Sequence, residues 1–165
     1  MDKKVLLDTN IVIHRENIIV SNPSIGNLFY WLDKLHCSKF IHPLTIKEIN
    51  NYNKDKERLE VLQVKLESYE VLKTTNICDK KFLDQVSSID ETPNGQIDNS
   101  LLYEVYVGSV DILITEDKKL REKANACGIR NRVFSINEFI CKGTEEHPSL
   151  IQYQTLAVKK LILVK

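Results

Sequence analysis

The sequence predicts an α/β fold in which a parallel sheet is covered by helices on both faces. Three observations carry that expectation. Continuous apolar runs, Val5-Leu6-Leu7 and Asp111-Ile112-Leu113-Ile114-Thr115 above all, have the composition of strands buried on both sides. Stretches with apolar residues at helical spacing alternate with them. Four acidic residues, Asp8, Glu48, Asp98 and Asp117, fall at the ends of those runs or in the opening turn of a helix.

The elements follow in order. Val5 to Leu7 forms a first strand ending at Asp8. Asn22-Pro23 opens a helix, with Asn22 as N-cap and Pro23 in the first helical position, and Leu28, Trp31, Leu32 and Leu35 form its apolar stripe. Phe40-Ile41 is a short second strand. Thr45-Ile46-Lys47-Glu48 has capping-box spacing, with Thr45 as the cap and Glu48 reaching back to it. A long amphipathic helix is expected from Asn53 to Leu72, because Leu59, Leu62, Leu66 and Tyr69 keep a helical period. A third strand over Val71 to Thr75 overlaps its end, and a short helix covers Lys80 to Ile89.

Asp90 to Gln96, with Pro93 and Asn94-Gly95, reads as a loop. Ile97 to Val107 is helical with Gly108 as its C-cap, and Lys118 to Cys127 is helical and closed by Gly128. Between them runs the apolar strand Asp111 to Thr115. A last strand covers Arg132 to Ser135 and a last helix Ile136 to Cys141, followed by a loop from Gly143 to Pro148. Leu156 to Val164 is apolar apart from Lys159 and Lys160. It is either an edge strand of this domain or the opening of a second one. The chain therefore divides into a domain over residues 1–147 and a tail over 148–165.

Composition narrows the function. A chain of 165 residues, 42% hydrophobic and 28% charged, suits one soluble domain with a full core. No apolar run approaches the roughly 20 residues of a membrane helix, and Asp2-Lys3-Lys4 does not open a signal peptide. Cys37, Cys78, Cys127 and Cys141 are scattered, without the paired spacing of a zinc site. Reduced thiols and a cytoplasmic location are expected. A formal net charge of zero argues against a strongly basic nucleic-acid binder.

In open parallel sheets, ligands bind beyond the carboxyl ends of the strands. Asp8, Glu48, Asp98 and Asp117 could all face that crevice. Gathered carboxylates repel one another and call for a cation. Short oxygen ligands suit Mg²⁺ or Mn²⁺, which polarise phosphates and acidify water, so a phosphodiester is the natural substrate. Each residue also has a plainer reading: Asp8 as a turn residue, Glu48 as half of a capping box, Asp98 as a helix N-terminal acid, Asp117 as an N-cap. The order and placement of the four together favour the site. A phosphatase that opens on strand-Asp needs a second Asp two residues on, where this chain has Asn10. A dinucleotide-binding fold is a poorer reading still, for no glycine-rich turn follows the first strand.

The stretch Leu6-Leu7-Asp8-Thr9-Asn10-Ile11 resembles the opening signature of PIN domains. Thr45-x-x-Glu48 resembles their second acidic position, and Ile97-Asp98-Asn99-Ser100-Leu101-Leu102 the third. Asp111-Ile112-Leu113-Ile114-Thr115-Glu116-Asp117 resembles the fourth. The likeness runs from about Val5 to Ile140.

It implies a Rossmann-like parallel sheet of about five strands and a Mg²⁺- or Mn²⁺-dependent ribonuclease. Asp8, Glu48, Asp98 and Asp117 would be the catalytic, metal-binding positions, with Thr115 supporting the site and Asn10 orienting Asp8. RNA is the implied substrate. The implied partners are an antitoxin, a second copy of the chain, or an acetyltransferase-like domain fused beyond the tail. The alternative is a non-catalytic module of the same fold, binding RNA or protein within a larger fusion.

Other residues are weighed alongside. Arg15, Lys118 and Lys119 could reach substrate phosphates, though for Lys118, Lys119, Arg121 and Lys123 a solvated helix face is the plainer reading. Trp31, at helical spacing, reads as core rather than as a base-stacking platform. His42, beside a strand, reads as packed or hydrogen-bonded. Tyr103 and Tyr106 are candidates for a partner interface.

Overall fold

Strand β1 (Lys4–Leu7) shows how the chain is layered, because its neighbouring side chains enter different cores. Val5 and Leu7 join one apolar cluster and Leu6 joins the other. Alternation of side chains across a strand produces this, and both faces must then be covered. The computed structural model describes residues 2–16, 23–52, 56–74, 76–87, 89 and 95–151.

After β1 come helices α1 (Thr9–Glu16) and α2 (Pro23–Lys34), then β2 (Ser38–Ile41), α3 (Pro43–Tyr52) and α4 (Lys56–Leu66). Next are β3 (Glu70–Val71), α5 (Lys80–Val86), α6 (Gly95–Tyr106) and β4 (Ile112–Ile114). Helix α7 (Lys118–Ala126), a 3-10 turn at Arg130–Arg132, β5 (Val133–Phe134), α8 (Ile136–Glu146) and a second 3-10 turn at Pro148–Leu150 complete the described chain.

The sheet has five strands, all parallel, in the order β3-β2-β1-β4-β5. Leu6 lies at its centre, opposite Phe40 on one side and Leu113 on the other. Helices α1, α2, α3, α4 and α8 cover the face of Val5, Leu7, Ile41, Ile112 and Ile114. Helices α5, α6 and α7 cover the face of Leu6, Leu113 and Val133. The chain winds outward from β1 to β3 on one side, then returns to β4 and β5 with its helices on the other. The winding reverses between β1 and β4, and in open parallel sheets the binding crevice lies at such a point, beyond the carboxyl ends of the strands.

The α/β architecture with a parallel sheet of five strands is as expected, while several boundaries differ. Helix α1, unassigned from the sequence, follows β1 at once. Helix α3 begins at Pro43, so Thr45 lies in its first turn and is not its cap; the capping-box reading of Thr45 and Glu48 is overturned. The continuous helix over Asn53 to Leu72 is corrected to α4 followed by turns and an edge strand. Helix α6 starts at Gly95, inside the expected loop, and α8 runs through Gly143 to Glu146.

Gly108 and Gly128 close their helices with φ of +84° and +71°, as their cap assignments require. The segment Pro148–Leu150 packs back on α2, where the Leu150 carbonyl accepts from the Tyr30 hydroxyl at 3.3 Å. Its contact lies beyond the expected domain boundary at residue 147. The expectations for Asn22 and for Leu156 to Val164 lie outside the described residues. No helix among the described residues is long and apolar enough to cross a membrane, and all four cysteines are free thiols.

Candidate functional site

Asp8 sits one residue past β1, yet the ladder still holds it: its N–H donates to the Ile114 carbonyl at 3.1 Å. Its own carbonyl accepts from the N–H groups of Ile11 and Val12, which starts α1. The backbone is thus fixed from both sides and the carboxyl is buried, 6% exposed.

The Thr115 hydroxyl donates to Asp8 Oδ2 at 2.7 Å and accepts the Asp117 N–H at 3.0 Å. One buried hydroxyl therefore locks the ends of β1 and β4 together. Asp117 is the N-cap of α7; its Oδ1 accepts from the N–H groups of Lys119 at 2.7 Å and Leu120 at 3.2 Å. The plainer reading of Asp117 holds, and a second carboxylate oxygen remains beside the capping one.

Burial is the main force that pushes the Asp8 carboxyl above its ordinary range. The Thr115 hydroxyl and the Thr9 backbone pull it down, and the charges of Glu48 and Asp117 push it up again. Glu48 and Asp117 are thus near enough to repel Asp8. Glu48 arrives on α3, one turn beyond Thr45. The Thr45 hydroxyl, fully buried, accepts from the Thr9 hydroxyl at 3.2 Å and ties α3 to the start of α1.

Asp98 lies in the first turn of α6, half-buried. Its neighbour Asn99 accepts from Lys123 Nζ at 2.8 Å. Lys123 is fully buried, which overturns the solvated-face reading for that residue. Arg121, half-buried, donates from Nη1 to the Thr115 carbonyl at 2.8 Å and so turns toward the crevice; Lys118 and Lys119 stay exposed.

Two assigned roles find other geometry. Asn10 is exposed on α1, and among the described residues it is Thr115, not Asn10, that hydrogen-bonds the Asp8 carboxyl. Arg15 lays its guanidinium over the Phe29 ring, 4.7 Å from the centroid, rather than toward the crevice. Trp31 is core, and Tyr103 and Tyr106 stack on each other and pack edge-on and tilted against Phe82 instead of facing outward as a partner surface.

Hard oxygen donors and a carboxylate strained by burial and repulsion fit Mg²⁺ or Mn²⁺ by their chemistry. Among the described residues, no three His, Cys, Asp or Glu side chains stand close enough to hold one ion alone. An ion here would rely on one or two carboxylates and its own waters, the coordination Mg²⁺ favours.

Replacing Thr115 by Val keeps the shape and deletes the hydroxyl. The expected outcome is a further rise of the Asp8 midpoint, read from its carboxyl ¹³C shift against pH. A roughly 10–100-fold loss of Mn²⁺ affinity should accompany it. A variant whose Asp8 titrates as in the parent would show that the hydroxyl does not tune the group.

No family model, curated protein or solved structure matches the chain.

Proposed function

We propose that the chain is a divalent-metal-dependent ribonuclease that hydrolyses RNA phosphodiester bonds at the crevice between β1 and β4. One observation carries the reading. Asp8 is buried at the reversal point of a parallel sheet, hydrogen-bonded by Thr115, and crowded by the charges of Glu48 and Asp117. Such a group is costly to ionise unless a cation shares its charge.

Bound Mg²⁺ or Mn²⁺ would polarise a phosphate oxygen and acidify a water molecule. The chain's own residues do the rest. Thr115 fixes the angle of the Asp8 carboxyl, the N-terminus of α7 fixes Asp117, and α3 brings Glu48. Arg121 lines the approach, and Lys118 and Lys119 offer charge to a phosphate backbone. Asp98 completes the set in the reading from the four motifs, whose likeness to PIN domains is what singles out RNA. A toxin role, with an antitoxin, a second copy or a fused acetyltransferase-like domain as partner, belongs to the same proposal.

The test is cleavage of a labelled single-stranded RNA by purified protein with Mn²⁺, with EDTA, and with Mn²⁺ restored. Cleavage should stop on chelation and return with the metal. Activity indifferent to chelation would point to a contaminant. Tight RNA or protein binding without turnover, at an intact fold, would replace this reading with the non-catalytic module.

A further inference from the structure

Helix α3 delivers Glu48, and the start of that helix is built on one imidazole. Pro43, in the first position, has no N–H to satisfy. The Leu44 N–H donates to His42 Nδ1 at 3.1 Å, and the Thr45 N–H to the His42 carbonyl at 2.9 Å. His42 is therefore the N-cap, and imidazole accepts at Nδ1 only when it is neutral with its proton on Nε2.

Nε2 faces a second buried group. It lies 3.8 Å from Glu104 Oε1, and Glu104 on α6 is 1% exposed. The Thr74 hydroxyl donates to Glu104 Oε1 at 2.5 Å and the Asn76 amide to Oε2 at 2.9 Å. Glu104 is the charged group that acts on His42. From His42 the path is short: the first turn of α3 carries Thr45, which is bonded to Thr9 beside Asp8, and Glu48 follows one turn on.

We propose that His42 is a positioning residue for Glu48: a neutral imidazole cap on α3 whose Nε2 lies 3.8 Å from the buried Glu104 carboxyl. The inference deepens the ribonuclease reading and rests on it.

The cap depends on pH with a definite sign. Burial pushes His42 below its ordinary value of 6.5, while the Glu104 charge opposes that shift. A histidine depressed in the folded state contributes stability above its unfolded value, lost as pH falls through the folded one. Acid places a proton on Nδ1, removes the acceptor for Leu44, and turns the imidazolium toward Glu104. The start of α3 then loosens and Glu48 moves from Asp8.

The test reads the carboxyl ¹³C titration of Asp8, hydrogen exchange at the Leu44 amide, and Mn²⁺ affinity. Parent protein is compared with His42→Ala, His42→Asn and Glu104→Gln. His42→Ala should speed Leu44 exchange, lower the Asp8 midpoint because Glu48 no longer crowds it, and weaken Mn²⁺ binding about tenfold. His42→Asn, whose amide oxygen caps without titrating, should restore all three and abolish the acid loss of Leu44 protection. Glu104→Gln should shift that loss to lower pH.

If His42→Ala leaves Leu44 exchange and the Asp8 titration unchanged, or His42→Asn fails to restore them, the positioning role is wrong. If these signals move as expected while the parent neither binds Mn²⁺ nor cleaves RNA, the ribonuclease reading fails and the His42 device stands.

Discussion

Asp8→Asn is expected to reduce Mn²⁺-dependent cleavage by at least about 100-fold while the protein melts at the same temperature or higher. The loss follows from removing the buried carboxylate on which the proposed site is built. The stability gain follows from the same burial: the neutral amide keeps the shape and drops a charge that its surroundings disfavour. Single stabilising substitutions commonly gain about 0.5–2 kcal/mol, with lost function as the recurrent cost where they fall in a functional site.

The pH dependence supplies an internal check. The folded Asp8 carboxyl titrates above the ordinary 3.8 of the unfolded chain. Its contribution to stability is complete below that value and is lost as pH rises through the folded midpoint. Thermal melts from acid to neutral pH should therefore show a falling component in the parent that the Asn variant lacks. A variant that cleaves normally would remove Asp8 from the site. A variant that melts much lower would show that the ionised carboxyl stabilises the fold, since Asn caps α1 as well as Asp does, and the burial argument would fail.

The sheet was legible because burial on both faces leaves a plain signature, and Val5-Leu6-Leu7 and Ile112-Leu113-Ile114 have no polar residue to confuse it. What the sequence could not reveal depends on contacts between distant elements. Helix α1 escaped because Ile11-Val12-Ile13 is β-branched and reads as readily as strand; tertiary burial of Thr9, Ile11 and Val12 overrides that preference. The period of Leu59, Leu62, Leu66 and Tyr69 continues past the true end of α4, because Tyr69 is buried from a turn at the same phase. Pro43 was the available sign that α3 starts two residues before Thr45, and it reads equally well as the stop of a strand.

The same division runs through the site. The positions of Asp8 and Asp117 follow from where strands end, and were visible. That Thr115 would join them depends on which strands are neighbours. His42, Glu104 and Lys123 are three buried polar groups on three elements, and nothing in their local sequence says what they meet. A buried lysine in a run of surface-like lysines is the plainest case: Lys118, Lys119 and Lys123 share a helix, and only the packing of α7 against α6 separates them.

Trp31→Ala is expected to produce the largest loss of stability, about 3–5 kcal/mol, or roughly 6–20 °C in melting temperature. The ring is fully buried on α2 and lies against α8, where Gly143 leaves room for it. A Cβ at Gly143 would stand 3.0 Å from Trp31 Cε3, which explains why a glycine there continues a helix instead of ending it. Gly143→Ala sets an overpacking cost of about 1–3 kcal/mol against about 1 kcal/mol of helix propensity, so its net cost should be at most about 2 kcal/mol.

In a Trp31→Phe background the outer ring atoms are gone and the added methyl group has space, so the two changes should be non-additive. Trp31→Phe should itself cost less than Trp31→Ala, since it keeps a large ring in the core, while both discard a buried indole N–H that meets no acceptor among the described residues. Chemical denaturation of the two single variants and the double variant measures the cycle, and simple additivity would break the proposed contact. The Asp8 titration should stay as in the parent through the whole series. Trp31 and Gly143 hold α2 to α8, whereas the carboxylates are fixed by the sheet ends, Thr115 and the first turns of α3 and α7. A shift of the Asp8 midpoint in Trp31→Phe would mean that the α2–α8 layer sets the crevice as well.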